Sequence, residues 1–260
     1  MREKIDNTKN IGKKLYFFEE LSSTNDWLRD NREELQNGTV ALAKRQTGGK
    51  GRQGRKWCDS DGESLSFSVL LKALPAQTMP ILPILAAVAV KRGIFQTLNV
   101  KADLKWPNDV LIDGKKIAGI LCEAFPSENG LCVVCGIGIN VMHGKDYFIQ
   151  NDLPHAGSLL TQTKQKCNAE VLLDNILIAL NDVINEHVSN GFSAMKDEYA
   201  AACVNIGKRV RVVSPKEERT GVACDVDLNG QLICRFDGSE KLEAVASGEV
   251  SVRGIYGYGE

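Results

Sequence analysis

The sequence predicts an α+β fold: a mainly antiparallel sheet with helices packed against it, followed by a small β-barrel. Three observations carry this. Two hairpin patterns follow one another between residues 110 and 141, and hairpins in series build antiparallel sheet. Long apolar runs of helical length or spacing, over 82–98 and 172–184, lie outside those hairpins. After Asn205, short β-branched runs alternate with single glycines, the texture of a small barrel.

Taken in order, residues 15–18 (Leu-Tyr-Phe-Phe) predict a first strand. Ser22, Ser23, Thr24, Asn25 and Asp26 then offer N-caps ahead of Trp27 and Leu28, so a helix starts there. Residues 39–43 and 65–71 read as strands on either side of a loop. Residues 82–98 form a buried helix with Pro83 in its first turn, and a strand follows near 102–106. Runs 110–112 and 117–121 flank Asp113-Gly114, a hairpin turn signal. Runs 121–125 and 131–141 flank a loop ending in Asn129-Gly130. Asn168 caps a helix with Leu172, Leu173, Ile176, Leu177, Leu180, Val183 and Ile184 on one face, and another helix covers 192–203. Short strands at 210–213, 220–226, 232–236, 241–245 and 250–253 complete the chain. The expected units are a larger α+β domain over 1–204 and a barrel over 205–260.

At 260 residues the chain can bury a substantial core. Its 32 basic and 33 acidic side chains nearly cancel, which argues against a general nucleic-acid binder. The N-terminus lacks a signal-peptide core. The most apolar run, 79–90, holds two prolines and is too short for a bilayer. A soluble, cytoplasmic protein with no membrane partner is expected. Most of the eight cysteines sit in strand-like apolar runs and read as reduced core residues. Cys132 and Cys135 form a lone C-x-x-C whose side chains point to opposite faces of a strand, so no zinc site is expected. His143, His155 and His187 lack metal-ligand spacing and read as structural or surface residues.

Four segments carry chemistry. In Gly49-Lys50-Gly51-Arg52-Gln53-Gly54-Arg55-Lys56-Trp57, glycines free the backbone while four cations and an indole surround it. Such a loop suits a small carboxylate or phosphate; alone, it reads equally as a nucleic-acid patch or a solvated charged loop. In Lys105-Trp106-Pro107-Asn108-Asp109, Pro107 holds Trp106 extended and sets Asn108 and Asp109 at a rigid bend, which a plain structural turn also explains. Lys116 opens the apolar strand Ile117-Ala118-Gly119-Ile120-Leu121, either reaching into a cleft or standing as an edge lysine. Gly136-Ile137-Gly138-Ile139-Asn140 allows close backbone approach at the end of a strand.

Together and in this order, the four segments resemble the biotin protein ligases. The family pattern runs Gly-Arg-Gly-Arg-x-Gly-Arg-x-Trp, Lys-Trp-Pro-Asn-Asp, Lys-(Leu/Ile)-Ala-Gly-Ile-Leu and Gly-x-Gly-x-Asn. The likeness extends from Ser23 to the Gly248–Arg253 stretch. It implies a class II synthetase-like catalytic domain with an SH3-like barrel. It also implies a two-step reaction: biotin and ATP give biotinyl-5′-AMP, and a lysine of a biotin carboxyl carrier protein takes the biotinyl group. By this resemblance Lys116, Arg52 and Lys105 are catalytic. Ser23, Thr24, Asn25 and Gln46 meet the ureido ring, and Lys50, Gly51 and Arg52 close over the tail. Arg55 helps to hold phosphates, Trp57 covers the adenine, and Asn108, Asp109 and Asn140 orient the nucleotide. Asp109 is the one candidate contact for Mg²⁺. The loop 47–56 is expected to close over the adenylate. Lys50 departs from the family's first arginine, keeping charge but losing the planar fork. Only about fifteen residues precede the predicted first strand, too few for a winged helix-turn-helix, so a monofunctional type that does not bind DNA is expected. The resemblance leaves monomer or homodimer open. A lipoate–protein ligase, which shares the fold, and a non-catalytic nucleic-acid-binding module are the alternatives.

Overall fold

A computed structural model describes residues 1–6, 10–59, 62–128, 130–214, 217–248 and 250–254. Its first half alternates strand and helix: β1 (Arg2–Ile5), β2 (Lys14–Leu21), α1 (Thr24–Asp30), β3 (Val40–Gln46), β4 (Ser64–Lys72) and α2 (Leu82–Leu98). Then come β5 (Asp103–Lys105), β6 (Asp109–Ile112), β7 (Lys115–Ser127) and β8 (Gly130–Asn140). Four helices follow: α3 (Lys145–Gln150), α4 (Leu159–Thr163), α5 (Ala169–Asn190) and α6 (Ser193–Ala202). The chain ends in β9 (Arg209–Val213), β10 (Glu218–Val226), β11 (Leu232–Phe236), β12 (Leu242–Val245) and β13 (Ser251–Gly254).

Strands β1 to β8 form one sheet in the order β1-β2-β3-β4-β8-β7-β6-β5. The β2–β3 pair is parallel because α1 crosses between them; the other neighbouring pairs are antiparallel. β1 precedes the strand that the sequence placed first. It is exposed throughout, so it carries no apolar alternation to reveal it. Asp113 and Gly114 both hold positive φ, 49° and 71°, in the β6–β7 turn, as a tight two-residue hairpin demands. The expected Asn129 turn residue lies outside the described residues.

The two faces of the sheet differ. Leu65, Phe67, Val69 and Leu71 of β4 pack against α2 and α5 in the main core. The other face carries Ser64, Ser66, Ser68 and Leu70, with α1 laid across it through Leu28. β4 is covered on both faces, and its residues from Ser64 to Leu71 are all buried. Cys132 falls on the α1 side and Cys135 on the α2 side, as strand alternation requires. Gly93 lets α5 press against α2, since a Cβ there would lie 3.0 Å from the backbone nitrogen of Ile176.

The last five strands form an antiparallel sheet, β12-β11-β10-β9-β13, whose apolar side continues the main core. Trp106 ties the two sheets together. Its indole N–H donates to Gly230 O (2.9 Å) and its backbone N–H to Asn205 Oδ1 (2.8 Å). Among the described residues, no helix is long and apolar enough to cross a membrane.

Candidate active site

Ser23 caps α1, its hydroxyl oxygen accepting from Asp26 N at 3.3 Å. Thr24 follows, its N–H donating to Gln46 Oε1 (2.8 Å) where β3 ends. Thr24 Oγ1 lies 2.7 Å from Ser68 Oγ and 3.1 Å from Gln46 Oε1. Ser68 donates to Asn25 Oδ1 (2.5 Å), while Asn25 Nδ2 donates to Glu123 Oε2 (2.7 Å) and Leu121 O (3.3 Å). These side chains meet because the residues beside the β4 serines are small: Ser68 pairs with Ala41 and Gly136, and Ser66 with Ala43 and Gly138. Ser64 faces His143, Ser66 faces Asp59 and Ser68 faces Asn25.

Two glycines of β8 make the floor. A Cβ at Gly136 would overlap Asn25 Oδ1, and one at Gly138 would lie 2.5 Å from Trp57 Cε2. Trp57 thus lies flat against Gly138, with its ring edge 3.5 Å from the Cβ position of Gly119. Its indole N–H is buried with no hydrogen-bond partner among the described residues.

The basic loop folds back as a small hairpin above this floor. Lys50 and Lys56 form an isolated antiparallel bridge. Gly51 N donates to Arg55 O (2.7 Å) and Trp57 N to Gly49 O (3.0 Å). Gln53 and Gly54 turn the tip with φ of 56° and 72°. Lys50 Nζ pairs with Asp26 Oδ1 at 2.7 Å, so the departure from the family arginine is taken up by α1. Arg52 donates to Asn108 Oδ1 (3.2 Å), to Val250 O (3.2 Å) and to Ser247 O. Burial pushes its guanidinium below the ordinary value, with Asp109 acting in the opposite direction. All these hydrogen-bond acceptors are neutral, so among the described residues the half-buried cation has no contacting anion. Opposite it, Lys116 Nζ pairs with Asp109 Oδ1 at 2.6 Å.

The structure therefore gathers Ser23, Thr24, Asn25, Gln46, Lys50, Gly51, Arg52, Trp57, Asn108 and Lys116 around one cleft. The cleft is narrow in this structure, with a free volume of about 60 Å³. Four predicted residues stand outside that lining. Arg55 is exposed. Lys105 is buried in β5, paired through backbone with Asp109. Asp109 reaches the cleft through Lys116, and Asn140 donates to Gly157 O at 2.9 Å. Ser68 and Gly119 line the cleft without having been singled out as site residues. The alternation of Ser64, Ser66 and Ser68 in an otherwise apolar strand was the available signal.

His143 and the cysteines read as structural. His143 is buried between Ser64 Oγ (2.8 Å) and Glu63 Oε2 (3.1 Å), stacked on Tyr147. Burial holds its imidazole below the ordinary value, with Glu63 opposing. Cys122 and Cys135 approach across the strands at 3.5 Å between sulfurs, and the cysteines are free thiols. Among the described residues, no three His, Cys, Asp or Glu side chains cluster as metal ligands.

The pattern of the Biotin/lipoate A/B protein ligase family matches residues 17–140. The chain is 31% identical over 252 residues to the bifunctional ligase/repressor BirA of Bacillus subtilis, covering 94% of this chain and 76% of that protein. The chain belongs to the biotin protein ligase family. A second ligase of the family, the biotin–[acetyl-CoA-carboxylase] ligase of Mycobacterium tuberculosis, is 32% identical over 220 residues, covering 82% of this chain and 79% of its own. The biotin protein ligase of Aquifex aeolicus, solved with biotin and ATP, superposes with a TM-score of 0.79 at 27% identity. That likeness covers 92% of this chain and 98% of the Aquifex chain.

Proposed function

We propose that this ligase activates biotin as biotinyl-5′-AMP and passes it to a lysine of a biotin carboxyl carrier domain. One observation carries the reading: the cleft joins a buried neutral polar end to a cationic end. Ser23, Thr24 and Gln46 form the first end; Ser23 and Thr24 are each only 3% exposed. Arg52 and Lys116 form the second. A ureido ring has the N–H and C=O groups to satisfy the first, and a carboxylate meeting a phosphate needs the second.

In the first step a biotin carboxylate oxygen attacks the α-phosphorus of ATP. The bond to the β-phosphate breaks and pyrophosphate leaves. Two anions must meet, so Lys116 turns from Asp109 to the reacting oxygens while Arg52 forks onto carboxylate and phosphoryl groups. Trp57, lining the cleft, covers the adenine, and the loop that carries it keeps water from the anhydride. In the second step the acceptor amine, having lost a proton, attacks the acyl carbon and AMP leaves. Asn108 orients the nucleotide; Lys105, Arg55 and Asn140 act from outside the cleft. Asp109 is a single carboxylate already paired with Lys116, so Mg²⁺ enters on the ATP phosphates as part of the substrate.

Lipoate ligation is the nearest rival. A dithiolane ring has no N–H or C=O, so it would leave the buried polar end unpaired. The test is pyrophosphate release from MgATP with biotin, with lipoate and with neither. Release with biotin alone is expected; release with lipoate alone refutes the proposal.

A further inference from the structure

Glu123 does not line the cleft, yet it stands at the end of a hydrogen-bond chain that does. The chain has a direction, fixed by which groups own protons. Asn25 Nδ2 faces Glu123 Oε2 at 2.7 Å and Leu121 O at 3.3 Å. A carboxylate and a peptide carbonyl both accept, so the amino group of Asn25 must point there and its Oδ1 must point to Ser68. Ser68 then spends its one hydroxyl hydrogen on Asn25 Oδ1, at 2.5 Å. The 2.7 Å contact between Ser68 and Thr24 hydroxyls still needs a proton, and only Thr24 has one left. Gln46 Oε1 is a competing acceptor at 3.1 Å, but it already receives Thr24's own N–H at 2.8 Å, whereas the shorter hydroxyl–hydroxyl contact has no other proton.

We infer that Glu123, without touching ligand, fixes the hydrogen-bond polarity of the cleft's buried end, so that Thr24 Oγ1 and Gln46 Oε1 present only lone pairs. A ligand atom seated between them must carry hydrogen. This rests on the proposed function and deepens it: Glu123 and Ser68 are positioning residues that select the N–H of a cyclic urea. An analogue that keeps the carbonyl and loses both N–H groups, a cyclic carbonate, meets acceptors where it has only acceptors. The floor supports the same geometry. Asn25 lies on Gly136, where any Cβ would overlap its Oδ1 and break the chain at its middle.

The experiment measures binding of biotin, of its cyclic-carbonate analogue and of ATP by calorimetry. The wild type is compared with Glu123→Met, which removes the acceptor, Ser68→Ala, which cuts the chain, and Glu123→Gln, which keeps an acceptor. The wild type should prefer biotin to the carbonate by about a hundredfold or more. In E123M and S68A biotin affinity should fall about tenfold, one hydrogen bond's worth. The carbonate should bind within twofold of wild type or tighter, because the Thr24 hydroxyl is released to donate. E123Q should keep the preference within about threefold, and ATP affinity should not move. A merely structural role would weaken biotin, carbonate and ATP together, and that result overturns the inference. An unchanged preference in both E123M and S68A overturns it too. If E123M fails to fold, S68A alone decides. A wild type that binds no biotin refutes the proposed function itself; a wild type that binds biotin with unaltered preference in the variants refutes only this inference.

Discussion

Gly138→Ala is the sharpest perturbation of the basic loop that lines the cleft. A Cβ at that position would lie 2.5, 2.7 and 2.9 Å from Cε2, Cζ2 and Nε1 of Trp57. β8 cannot yield, because Gly138 is paired with Ser66 on one side and Gly119 on the other. The indole must therefore move by about 1 Å or leave. Overpacking of this kind costs about 1–3 kcal/mol. Uncovering some 100 Å² of indole would cost at most about 2.5 kcal/mol at 25 cal/mol/Å². Trp57 sits on a loop held mainly by local backbone bonds, so most of this cost falls on the closed loop and little on global unfolding. We expect G138A to bind a non-hydrolysable biotinyl-adenylate about 10–100-fold more weakly, with tryptophan emission shifted to the red. Trp106 is buried and Trp27 packs on Phe18 and Tyr16, so the shift reports Trp57. Gly144→Ala is the control, since its φ is −75° and nothing lies within 4 Å of its Cβ position. Wild-type affinity and emission in G138A would refute the placement of Trp57 in the cleft.

Three further outcomes follow from the geometry. Lys116→Ala should lower biotin-dependent pyrophosphate release by about 10²–10³ while leaving the melting temperature nearly unchanged; a wild-type rate removes Lys116 from the chemistry. Lys50 pairs with Asp26 at a half-exposed site, 46% and 22% by side chain, so Lys50→Met should speed adenylate release no more than about fivefold; a hundredfold effect in stopped-flow would mean that its ammonium contacts ligand. Burial holds His143 below the ordinary 6.5, so the unfolded chain takes the proton first. Stability is then full above that value and falls as pH drops below it, by at most about 1.4 kcal/mol per pH unit. Urea midpoints between pH 7.5 and 5.5 should fall further for wild type than for His143→Asn, and equal losses would contradict the buried, neutral histidine.

The parts legible in the sequence were those with local physical signals. Asp113-Gly114 marked its hairpin because only permissive residues take two positive φ angles, and Asn168 marked the start of α5 because its side chain accepts from Glu170 N and Val171 N. The glycines of β8 announced a close approach, but not that Asn25 and Trp57 make it, since those partners lie about 80–110 positions away in the chain. β1, α3 and α4 were missed because they are short or fully exposed and so lack periodicity. The parallel β2–β3 pair was implicit in a strand–helix–strand order but was outweighed by the later hairpins. Glu123 was unreadable for a different reason: a polar residue in an apolar strand gains meaning only from what faces it, and no alternation of the kind that marks Ser68 surrounds it.

In the proposed reaction one cleft both makes the adenylate and delivers it to a lysine. The most direct measurement is transfer of labelled biotin from MgATP to a purified biotin carboxyl carrier domain, beside the same domain with its acceptor lysine changed to arginine. One label per carrier domain is expected, matched by one pyrophosphate and one AMP, with none on the arginine variant. Absence of biotin-dependent pyrophosphate, or label that ignores the acceptor lysine, would contradict it.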